Sequence, residues 1–151
     1  MSYDLMVFEK EKAPRKRKDF MDWYNKQTEW SENHSYDDPK VSSQKLRDWF
    51  TEMIKTFPAM NGPYASDDYD NDNVSDYSIG MDVIYVAFAW SVAEKAYKTM
   101  IDLAEKFEVG FFDVSSDNGG IFSPDNGKLV PIDKSNNSEK PTRTKPWWKI
   151  W

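Results

Sequence analysis

Apolar and polar positions follow two different periods along this chain, and the switches between them mark its elements. Tyr3–Phe8 is a short apolar run closed by charge, which predicts a strand. Phe20, Trp23, Tyr24, Gln27 and Trp30 then recur at helical steps. A helix with one aromatic face is expected over 15–30, with Pro14 at its first turn. Ser42 is placed to cap a second helix carrying Leu46, Trp49, Phe50, Met53, Ile54 and Phe57, and Pro58 stops it. Asp76–Ile79 reads as an edge strand, and 81–90 as a nearly all-apolar strand suited to an interior place. Ser91 and Glu94 have the spacing of a capping box. The helix behind them carries the stripe Ala93, Ala96, Tyr97, Met100, Ile101, Ala104 and Phe107. Residues 109–114 predict a further strand, and 120–122 and 128–132 a hairpin across Ser-Pro-Asp-Asn-Gly.

That order is strand, helix, helix, strand, strand, helix, strand, then hairpin. Setting the extra helix aside leaves the split β-α-β pattern. The sequence therefore predicts an α+β, ferredoxin-like fold (βααββαβ). It would have an antiparallel sheet, helices on one face, and its first and third strands in the centre. Residues 1–132 are expected to form a single α+β domain. Residues 133–151 read as a polar linker and a flexible Trp-rich tail bearing Trp147, Trp148 and Trp151 beside Arg143, Lys145 and Lys149. These tryptophans are expected to fold back onto an exposed groove or sheet edge, since left bare they would promote aggregation.

Composition narrows the chemistry. A chain of 151 residues fits one domain, and 16% aromatic content supplies a core. The net charge of −6 argues against direct nucleic-acid binding by phosphate attraction. The absence of cysteine removes disulfides, thiolate nucleophiles and Cys zinc sites, and the single histidine, His34, removes multi-His cages. No phosphate loop, nucleophile elbow or HExxH motif is present. No cofactor, metal or enzymatic reaction is expected. The N-terminal apolar stretch is too short for an export signal, and no run is long enough to span a bilayer. A cytoplasmic protein without a membrane partner is expected, as a monomer or weak homodimer.

Two clusters draw functional readings. Residues 59–74 form a long irregular stretch, of the length at which loops are often functional. Asp67, Asp68, Asp70, Asp72 and Asp76 crowd there without a base among them, interleaved with Tyr64, Tyr69 and Tyr77. Asp68-Tyr-Asp-Asn-Asp begins like a calcium loop, but Asn73 stands where a turn glycine is needed and Ile79 where a bidentate glutamate is needed. The competing readings are a solvated loop and a docking surface for a basic partner. The second cluster is Glu32, His34, Asp37, Asp38 and Asn61, where a carboxylate–imidazole pair could serve acid–base or ligand-binding chemistry. Its plain alternative is a surface histidine in a polar loop. Asp113 and Asp117 near a strand end form a third, weaker pair, which turn chemistry explains equally well.

Taken together, the segments SYDLMVF, WSENHSYDDP, FPAMNGPYASDD, DYSIGMDVIYVAFAWSVAE and VGFFDVSSDNG resemble blocks of small bacterial cytosolic proteins. Their cast is similar to immunity proteins of interbacterial polymorphic-toxin systems. The resemblance covers residues 1 to about 132 in architecture and rests on no diagnostic motif. It implies a partner-blocking role against a cognate toxin domain with a basic surface, and it transfers no residue role.

Overall fold

The computed structural model describes residues 1–68 and 70–132. Its strands are β1 (Tyr3–Phe8), β2 (Asp76–Ile79), β3 (Val83–Phe88), β4 (Gly110–Phe112), β5 (Ile121–Asp125) and β6 (Lys128–Pro131). Its helices are α1 (Arg17–Gln27), α2 (Gln44–Met53) and α3 (Ala93–Phe107). All six strands join one antiparallel sheet in the order β2-β3-β1-β4-β5-β6. The first four keep the order of a split β-α-β unit, with β1 and β3 interior. The expected hairpin extends this sheet, because Phe111 and Phe112 of β4 pair with Phe122 and Ile121 of β5.

Alternation along β1 explains why both sheet faces are covered. Tyr3, Leu5 and Val7 point to one face with Ile84, Val86 and Phe88 of β3, and there they meet the stripes of α2 and α3. Met6 and Phe8 point to the other face with Val83, Phe112 and Ile121, and there they meet Phe20 of α1. Ring centroids of Phe8 and Phe20 lie 4.9 Å apart, and those of Phe20 and Phe112 5.4 Å apart. The expectation of helices on one face is thus corrected. Only α2 and α3 share a face, and the extra helix α1 packs on the opposite one.

Local capping also departs from the simplest reading. Ser43, not Ser42, caps α2, accepting from the Leu46 N–H, while the buried Ser42 hydroxyl donates to the Gly80 carbonyl at 2.7 Å. A 3-10 turn over Trp90–Val92 displaces the start of α3, so its N-cap is Val92 without a side-chain cap. Ser91 instead donates to Asp72 Oδ2 at 3.3 Å. The β5–β6 turn is a tight two-residue one: Asn126 and Gly127 take φ of 53° and 80°, and Asp125 pairs with Lys128.

Both sheet edges are protected among the described residues. Along β2, the Ile79 N–H donates to Tyr36 O and the neighbouring Ser75 N–H to Pro58 O, each at 2.8 Å. Along β6, the Leu129 N–H donates to Glu105 of α3, and Pro131 has no N–H to offer. No helix of the described residues is long and apolar enough to cross a membrane. The expected tail over 133–151 lies outside the described residues, as does Tyr69.

Candidate functional site: an acidic loop above the sheet

The loop between α2 and β2 is closed at its base by main-chain contacts. Ala59 bridges both Ala65 and Ser75. The Met60 N–H donates to Ser75 O at 2.9 Å, and the Ser66 N–H to Ala59 O at 2.8 Å. Within the loop, Asn71 forms an Asx turn, accepting through Oδ1 from the Asn73 N–H at 2.9 Å. The Asp68 N–H donates to Ser66 Oγ at 3.0 Å. These bonds use main-chain donors and none of the carboxylates, of which Asp72 accepts from Ser91 Oγ.

Asp67, Asp68, Asp70 and Asp72 are exposed. Among the described residues none of the four makes an ion pair. Tyr64 stands beside them at 55% exposure, with its ring 5.9 Å from Phe50, so it is footed on the core and free at its tip. Met60, at 49% exposure, adds a second apolar side chain to the same loop. Asp76 is half-buried at the start of β2.

Tyr77 is a correction. It is 2% exposed, its ring lies 5.1 Å from Phe50, and its hydroxyl donates to Phe57 O at 2.6 Å. Burial holds that phenol well above its ordinary pKa. Tyr77 therefore braces the loop from beneath and cannot touch a partner. The signal was the alternation of Asp76-Tyr-Ser-Ile, which turns Tyr77 and Ile79 inward and Asp76 and Ser78 outward.

The second cluster is used up by its own loop. Tyr36 N–H donates to His34 Nδ1 at 3.2 Å, which leaves the ring proton on Nε2, facing Glu32 Oε1 at 2.5 Å. The same carboxylate oxygen accepts from the Met81 N–H at 3.1 Å. Asp37 accepts from Ser35 Oγ at 2.5 Å, and Asp38 caps a 3-10 turn by accepting from the Lys40 N–H at 2.9 Å. Asn61 is carried to this loop by its neighbour Gly62, which packs on the Asp37 backbone. With both imidazole nitrogens engaged, the arrangement staples residues 30–39 to the β2–β3 turn. Among the described residues no group of three or more His, Cys, Asp or Glu is disposed to hold a metal.

One feature of this loop left no signal in the sequence. Trp30 and Tyr36 both take left-handed φ, 53° and 63°, and their rings pack at 5.2 Å. Asp113 at the end of β4 is buried rather than displayed. One of its oxygens accepts from Ser116 Oγ at 2.9 Å, and the other has no hydrogen-bond partner among the described residues. Burial raises its pKa, with the Ser116 hydrogen bonds opposing. Its companion Asp117 is exposed. A separate polar cleft of about 100 Å³ opens between Lys10, Lys45, Glu108 and the β5–β6 turn, where Lys45 and Glu108 already pair at 3.7 Å.

Comparison with protein families, with curated proteins and with solved structures finds no match to this chain.

Proposed function

We propose that this protein is an immunity-type binding protein, which neutralises a cognate bacterial toxin domain by laying its acidic loop over that domain's basic active-site surface. The reading is supported by one observation above all: four exposed carboxylates without ion pairs among the described residues, on a loop closed at its base. Like charges held close in a folded chain repel one another, and that cost is relieved when a cationic surface arrives. Toxin domains that act on nucleic acids carry basic clefts for phosphate, and a row of carboxylates fills such a cleft in phosphate's place. Tyr64 supplies the aromatic anchor favoured in interface cores. The role needs neither nucleic acid nor membrane as a direct partner, and it places the protein in the cytoplasm beside its target.

Co-expression tests the reading. The product of the adjacent gene is expressed alone, with this chain, and with the chain carrying Asp67→Asn, Asp68→Asn, Asp70→Asn and Asp72→Asn. Growth restored by the natural chain and lost with the fourfold variant is the expected result. Equal protection by both chains would overturn the acidic-loop mechanism, and protection by neither would overturn the immunity role.

A further inference from the structure

The turn that follows β4 is tied to two elements far from it in the chain. Within the turn, the Asp113 N–H donates to Gly120 O and the Gly119 N–H to Ser116 O, each at 3.0 Å. Gly119 is packed so closely that a Cβ there would sit 1.7 Å from the Asp113 carbonyl oxygen. Ser115 holds the start of β1 in both directions. Its Oγ accepts from the Asp4 N–H at 2.8 Å, and its own N–H donates to Asp4 O at 3.2 Å. Gly119 O accepts at 2.9 Å from Nη1 of Arg17, the first residue of α1. Residues 113–120 therefore fasten both β1 and α1 to the end of β4.

A buried carboxyl lies at the root of this turn. Asp113 is 6% exposed, with Oδ2 accepting from Ser116 Oγ and Oδ1 without a hydrogen-bond partner among the described residues. Two residues past Phe111, it keeps the core face of the sheet, where Tyr97 of α3 faces it. That phenol is held above its ordinary pKa, by burial first and by Asp113 second, and supplies no positive charge. Leu5 of β1 and Phe122 of β5 share the face and are neutral. Asp4 turns its carboxylate to the opposite face, toward Tyr85, and Asp117 is exposed. Arg17 meets the turn at the Gly119 carbonyl, and no ion pair among the described residues includes Asp113. A neutral carboxyl tolerates one unpaired oxygen, whereas a carboxylate in the same place is a buried charge left unsatisfied.

We propose that residues 113–120 form a pH-sensitive latch, closed while the Asp113 side chain is neutral and opened when it gives up its proton to water. Opening hydrates the carboxylate. Because Ser115 and Gly119 move with the turn, it also frees the Asp4 main chain and the Arg17 guanidinium together. The α2 stripe lies in the core away from this turn, so the opening is local. In the open turn the carboxyl titrates at its ordinary value, and in the closed turn it titrates higher. Between those two values the open fraction rises about tenfold per pH unit, and above the higher one it levels. The latch stands apart from the acidic loop and needs no partner.

Hydrogen exchange of the full chain, read by NMR from about pH 4 to about pH 9 and corrected for the intrinsic rate at each pH, tests the latch. Protection at the Asp4, Ser115 and Gly119 amides is expected to fall about tenfold per pH unit until the Asp113 carboxyl-carbon signal has titrated, and then to level. Amides inside α2 should show no such fall. In Asp113→Asn, which stays neutral, protection at the three amides should be high and flat. Ser116→Ala removes a hydrogen bond to the charged form, so it should carry the carboxyl midpoint and the fall in protection to higher pH together. Flat protection in the natural chain, an equal fall in Asp113→Asn, or a midpoint and a fall that part company in Ser116→Ala would each overturn the proposal. A fall shared by α2 would mean global unfolding in place of local opening, and would overturn it as well.

Discussion

Glu105 of α3 accepts a hydrogen bond from the main-chain N–H of Leu129 at 3.0 Å, so a helix side chain caps the free edge of β6. The next outward position on that strand is Pro131, which has no N–H. Strand addition at this edge therefore lacks these two donors. Glu105→Ala is expected to lower stability by about 1 kcal/mol and to bring salt-insensitive self-association through the bared edge. Denaturant unfolding and sedimentation velocity check both effects. An unchanged unfolding midpoint would show that the cap contributes nothing.

Tyr77→Phe separates bracing from contact. Removing the phenol oxygen leaves the buried Phe57 carbonyl without this donor and is expected to cost about 1–3 kcal/mol. Affinity for a cationic partner should not change, since the ring and the loop above it remain. A variant that is stable but binds poorly would return Tyr77 to the interface.

Asp113 predicts a pH signature. Its folded pKa lies above its unfolded value because burial disfavours the charged form. Its contribution to stability is therefore fully present below the unfolded value and is lost as the pH climbs through the folded one. Asp113→Asn is expected to unfold at higher temperature than the natural chain at about pH 7, with the gain gone at about pH 3. Calorimetry at the two pH values decides it, and a gain of equal size at both would contradict the assignment.

Gly62 holds the two polar loops together. Its φ is +86°, and a Cβ there would sit 2.2 Å from the Asp37 carbonyl oxygen. Gly62→Ala is expected to cost about 1–3 kcal/mol and to raise amide exchange across residues 31–39 as well as 59–66. Exchange raised in only one loop would show that they are not coupled.

Much of this fold was legible because strongly patterned segments leave few choices. The apolar runs of β1 and β3 required interior places, and the α2 and α3 stripes required a sheet to cover. The stripe Phe20, Trp23, Tyr24 says that one side of α1 is buried, yet helical periodicity carries no information about which sheet face receives it. That choice follows from Met6 and Phe8, apolar on the face that α2 and α3 leave open. Ser42 and Ser43 are adjacent hydroxyls with equal capping chemistry, and only the Gly80 carbonyl decides between them. At the site, the loop carboxylates were visible as a charge run. The closure of the loop's base was not, because it joins Ala59 to Ser75 through main-chain contacts that leave no side-chain pattern.

Recognition of a cationic protein surface by the loop carboxylates is open to direct measurement. Calorimetric titration of the chain with the purified, inactivated product of the adjacent gene, across a series of salt concentrations, tests it most directly. Tight binding that weakens steeply with salt is expected, and a fourfold Asp→Asn loop variant should bind far more weakly with a nearly flat salt dependence. Equal affinity and equal salt dependence for the two chains would contradict it.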